Sequence, residues 1–123
     1  MKPLTQTNKK ELMHRIEKGI GAELRSLSII DPTTMQLRLS AQDKTRGFDW
    51  IDVIFEMSGV SDARLVEDSK LGFLDTEEGL TLAFEANEVI LAVGDFGSFH
   101  SAHDAPLYLK GASLKYEEAP FLG

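Results

Sequence analysis

The hydrophobic period of this chain changes once, near Gly21, and that change limits the folds open to it more than any motif does. Before it, Leu12, Ile16, Ile20 and Leu24 recur every four residues with Met13 beside them, the spacing of one helix face. Asn8 followed by Glu11 has the spacing of a capping box, so an amphipathic helix is expected from about residue 8 to about residue 20. Gly19 and Gly21 would each cost about 1 kcal/mol relative to Ala inside a helix. The helix end is therefore expected there, with Gly21 as its left-handed terminal residue.

From that point almost to the C-terminus the period is two. "LRSLSII" and "MQLRLSAQ" read as strands reversed at Asp31-Pro32-Thr33-Thr34, where proline fixes one backbone angle. "FDWIDVIFEMS" sets Ile51, Val53, Phe55 and Met57 on one face and Phe48, Trp50, Asp52, Ile54 and Glu56 on the other. Shorter strands are expected at 63–67 and 71–75, then a clearer pair at 80–84 and 89–93 joined around Asn87. The second of that pair is apolar or small on both sides through Ile90, Ala92 and Gly94, which predicts a central strand covered on both faces, with the helix as the cover. "APLYLK" and "SLKYEE", joined near Gly111, complete the pattern.

One convincing helix followed by many short strands predicts an α+β domain spanning residues 1–123. The N-terminal amphipathic helix is expected to pack on a mainly antiparallel, meander-like sheet. A two-sheet β-sandwich or partly closed barrel is the alternative. At 123 residues one core suffices, and 42% apolar against 27% charged residues is ordinary globular usage.

Without cysteine there can be no disulfide framework, zinc-thiolate site or cysteine nucleophile. The opening residues lack the apolar run of a signal peptide, and no later run approaches the ~20 apolar residues of a membrane span, so a cytoplasmic protein without a membrane partner is the expectation. The net charge of −7 is unevenly spread: residues 1–46 hold nine Lys/Arg against five Asp/Glu, the remainder four against fifteen. The acidic, β-rich part would repel nucleic acid and attract a basic protein.

The segment "GDFGSFHSAHDAP" gathers His100, His103 and Asp104, three side chains of the kind that ligate metal. Spacing alone does not fix their geometry, and the flanking glycine and proline favour a connecting loop. Ser98 and Ser101 lie beside these histidines, but a serine hydrolase needs nucleophile, base and orienting acid at hydrogen-bond distance on a rigid frame with an oxyanion hole, and closeness in sequence does not supply that geometry. The acid pairs Glu67-Asp68, Glu77-Glu78 and Glu117-Glu118 fall in turns or at a strand end, where solvated charge discourages edge-to-edge association. Neither Gly19-Ile20-Gly21 nor the stretch from Gly94 to Gly97 is followed by the lysine and serine or threonine of a phosphate loop.

The stronger functional feature is the second face of "FDWIDVIFEMS". Phe48, Asp49, Trp50, Asp52 and Glu56 would place an aromatic anchor among acids if that face is open to solvent, and would be core if it lies under the helix. The function this suggests is a small acidic interaction protein, of the inhibitor or immunity type, occluding a basic partner. No cofactor is implied. A metal-assisted hydrolase built on His100, His103 and Asp104, and a structural subunit of a homodimer or larger homo-oligomer, are the alternatives.

Overall fold

Strict alternation over ten residues gives a strand one apolar face that has to be buried. In the computed structural model, which describes residues 1–122, the strands meet that need by forming two antiparallel sheets around a shared core. The strands are β1 (Lys2–Leu4), β2 (Glu23–Asp31), β3 (Thr34–Asp43), β4 (Asp49–Ser58), β5 (Asp62–Arg64), β6 (Leu80–Glu85), β7 (Glu88–Val93), β8 (Tyr108–Gly111) and β9 (Ser113–Ala119). Helix α1 (Lys9–Arg15) follows β1, and the single turn α2 (Asp68–Leu71) follows β5. The sheet orders are β1-β9-β4-β3-β2 and β5-β8-β7-β6. Local meanders exist, but the expected single sheet is replaced by two.

The sheets are joined by one bent ribbon. β4 runs on into β5 while β8 runs on into β9, so that Ser58 faces Ser113 in the first sheet and Asp62 faces Lys110 in the second. One residue is gained between these pairs, and the Ser58 carbonyl accepts from Ala112 N at 3.0 Å across the corner. Such a bulge bends the ribbon. A Cβ on Gly111 would sit 2.8 Å from the Ser58 carbonyl oxygen and 2.9 Å from Met57 Cγ, so the corner closes only around glycine.

Between the sheets lie Leu37, Leu39, Val53, Phe55 and Met57 from the first and Leu80, Leu91 and Leu109 from the second, with Leu12 of α1 and Ile16 just after it closing one end. The helix is shorter than its sequence pattern. Glu17 and Lys18 adopt positive φ (51° and 57°), so the chain leaves the helical path one turn early and Ile20, expected on the buried stripe, is 54% exposed. Gly21 does take the left-handed conformation, at φ 74°. The Asn8 side chain does not cap α1. Its Oδ1 accepts from Thr5 N at 2.7 Å, and its Nδ2 donates to the Pro3 carbonyl. Arg15, at the end of α1, donates to both carboxylate oxygens of Asp43 and to Glu118, tying the helix to β3 and β9.

Two expectations about cover are corrected. β7 is central and buried on both faces, but its outer face, Ile90 and Ala92, lies under residues 94–107 rather than under α1. That segment supplies Ala102 and Ala105 with Phe96 and Phe99 to a second small core, centred on Tyr108. Residues 71–75 are not a strand. With α2 they run along the free edge of β2, where Asp68 Oδ1 accepts from Leu27 N at 3.1 Å and the Thr76 hydroxyl donates to the Ala22 carbonyl at 2.7 Å. That part of the edge is closed to another strand, while Ile29 and Ile30 beyond it remain exposed.

Candidate functional site

The apolar face of β4 is core throughout, with Ile51, Val53, Phe55 and Met57 at most 5% exposed. The opposite face forms the outer surface of the five-stranded sheet, and α1 does not cover it. Its cover is the chain's own C-terminal tail. Phe121 stacks on Trp50 with ring centroids 5.7 Å apart and planes inclined by 29°, and the Arg25 guanidinium lies 5.5 Å from the Phe121 ring on β2's side. Trp50 is consequently half-buried, while Phe121 remains partly open.

Beneath the tail, Asp52 is fully buried. Its carboxylate accepts from Ser40 Oγ at 2.5 Å and from Arg38 Nε at 2.7 Å, and Arg25 Nε donates to Ser40 Oγ at 2.8 Å. Burial pushes this carboxyl up, but the bonds from Ser40 and Arg38 outweigh it and leave the group below its ordinary range. Arg38 also donates to the Pro120 carbonyl at 3.4 Å, so the network holds the tail down. Asp52 thus supports the face from within, and a partner cannot reach it while the tail is in place. Glu56 is half-buried, and Oε1 accepts from Gln36 Nε2 at 2.9 Å across to β3. Phe48 and Asp49 are exposed at the start of β4, Phe48 in the left-handed region at φ 66°.

The feature that strand periodicity misses is Phe73. It is 85% exposed, more than any other large apolar residue among those described. It sits in residues 67–78, where Glu67, Asp68, Asp75, Glu77 and Glu78 are balanced only by Lys70. Leu71 is buried and anchors the segment from below, which leaves Phe73 pointing outward from a tethered loop. Arg25 connects the two regions: it packs against Phe121 on one side and lines a surface depression with Gly72 and Leu74 on the other. The sequence carries a signal for it in "GFLDTEEG", an aromatic between a glycine and a run of acids.

Residues 94–107 do structural work. Ser98 Oγ accepts from Ser101 N at 3.0 Å, and Ser98 O accepts from Ala102 N, so the two serines close a turn. His103 Nδ1 lies 3.0 Å from the His100 carbonyl and 3.1 Å from the Phe99 carbonyl; because carbonyls only accept, Nδ1 carries the proton. The His103 ring then packs edge-on against Tyr108, at 5.3 Å. Tyr108 donates its hydroxyl to Asp62 Oδ2 at 2.7 Å, which raises the phenol and lowers the carboxyl. His100, His103 and Asp104 are not brought to a common point. Among the described residues no three His, Cys, Asp or Glu side chains form a set that could hold a metal ion.

No helix among the described residues is long and apolar enough to cross a membrane. No protein-family model matches the chain, and comparisons with curated proteins and with solved structures return no match.

Proposed function

We propose that this chain is a protein-binding module whose anchor is Phe73 and whose partner is basic. The observation that carries this reading is the exposure of Phe73 inside a tethered, acid-rich loop. A solvated phenyl ring on a fixed backbone loses little conformational entropy on binding, and its burial supplies the apolar centre of a contact. The surrounding carboxylates set the sign of the partner's charge and accelerate encounter. The Trp50–Phe121 stack and exposed Asp49 extend the same face beyond Arg25. Action would be by occlusion: a rigid double sheet carries an anchored loop onto a cationic surface and covers it.

Selection of peptides from a random display library on immobilised wild-type protein, repeated on Phe73→Ala, tests the reading. Peptides recovered by the wild type alone should be rich in Lys and Arg around an apolar residue. Recovery of acidic peptides, or of the same peptides by both proteins, would remove Phe73 and the acidic loop as the binding element. The substitution leaves folding intact because the side chain it shortens touches solvent.

A further inference from the structure

Beside α1 lies a groove of about 250 Å³ with an apolar floor that includes Met13, Leu82 and Phe96 and a rim that carries Lys9, Lys10 and Lys18. Lys9 Nζ donates to the Leu82 carbonyl at 3.1 Å and sits 5.7 Å from the centroid of the Phe84 ring. Lys18 pairs with Asp95 at 3.3 Å, and Lys10 is exposed. The volume falls below the roughly 300–1,000 Å³ of pockets that enclose drug-sized ligands, and suits a single aromatic side chain. With three lysines against one aspartate at its mouth, the groove favours a ring that arrives flanked by carboxylates.

The chain carries such a segment itself. Phe73 stands between Glu67-Asp68 and Asp75, with Glu77 and Glu78 following. We infer that the groove receives Phe73 from a second copy of this chain, with the acids of that loop meeting the lysine rim. Loop and groove adjoin within one protomer: Gly21 N donates to the Thr76 carbonyl at 3.0 Å, and a Cβ on Gly79 would lie 2.4 Å from the Lys18 carbonyl oxygen. Because the complementary halves are neighbours, a twofold axis lets each protomer offer a loop and accept one, and the contact is made twice. The inference rests on the exposed anchor of the proposed function and adds a regulation to it: the dimer hides Phe73, so self-pairing and partner binding exclude one another.

Sedimentation of the full chain over a concentration series tests this. The wild type should show a monomer-dimer equilibrium that weakens with added salt, as the screening length falls toward ~3 Å at 1 M. Phe73→Ala should raise the dissociation constant about thirtyfold, and Lys10→Glu about tenfold. Both side chains are exposed, so neither variant threatens the core. A wild type that stays monomeric at millimolar concentration, or a Lys10→Glu variant that pairs as well as wild type, would overturn the dimer. Phe73-dependent recovery of basic peptides alongside a strictly monomeric wild type would overturn self-pairing alone and leave the partner reading standing.

Discussion

Arg38 on β3 and Asp52 on β4 meet at 2.7 Å beneath the C-terminal tail, and the Asp52 carboxylate is wholly shielded from water. The pair fixes more than two strands, since Arg38 also holds the Pro120 carbonyl and Ser40 links Asp52 to Arg25. The face on which sequence places an anchor surrounded by acids is therefore a closed polar network roofed by an aromatic stack.

Removing the carboxylate should be costly. Asp52→Ala leaves Arg38 and Ser40 facing a buried gap, and a loss of about 2 kcal/mol is expected, below the usual cost of breaking a buried pair because Arg38 is partly solvated. Asp52→Asn, which keeps one acceptor, should lose about half as much. Urea unfolding of the two variants measures the difference; equal stability to wild type in both would show that the network contributes nothing.

Stability should fall in acid through Asp43. The hydrogen bond from Arg15 holds this carboxyl down at about 2; burial opposes that, and bonds from Thr45 assist it. An unfolded chain returns Asp to about 3.9. The folded value lies below the unfolded one, so the contribution is complete above the unfolded value and disappears as pH falls through the folded one. The stability gap between wild type and Asp43→Asn should be widest near neutrality and shrink from about pH 4 toward pH 2. A gap constant across that range would contradict the assignment.

Trp50 is the only tryptophan, so its fluorescence reports the tail. Phe121→Ala removes the stacked ring and opens the indole to water. Emission should shift to longer wavelength and quenching by iodide should increase, with a stability change of about 1 kcal/mol. An unchanged spectrum would mean that the tail does not rest on Trp50 in solution.

The corner between the sheets should tolerate no side chain. Gly111→Ala forces a methyl against the Ser58 carbonyl and Met57, and overpacking of this kind costs about 1–3 kcal/mol. Gly72→Ala is the control, because that glycine has a helical backbone and open space around its Cβ position. Thermal unfolding should separate the two variants, with Gly72→Ala within about 0.5 kcal/mol of wild type.

Periodicity made β2, β3, β4, β6, β7, β8 and β9 legible, because alternation is a local consequence of the pleat and each strand declares its own buried face. It failed where two states share a pattern. Residues 71–75 are apolar enough for a strand, but Leu71 is drawn into the core while Phe73 is left in solvent, and that division depends on the neighbouring edge of β2. The helical pattern overruns α1 for the same reason. The four-residue spacing of Ile16, Ile20 and Leu24 continues past the point where Glu17 and Lys18 turn left-handed, and a spacing rule carries no information about φ.

For the candidate site the division is similar. That Trp50, Asp52, Ile54 and Glu56 share one face of β4 followed from a side-chain period of two; Phe48, expected on the same face, lies before the strand with φ 66°, where the alternation does not reach. Whether that face meets water, a helix or the chain's own tail is settled by contacts between residues far apart in sequence, Trp50 with Phe121 and Arg38 with Pro120. The order of residues determines what each strand must bury. Only the packing of strand on strand and tail on sheet decides what remains exposed, because burial belongs to the pair of surfaces that meet and not to either alone.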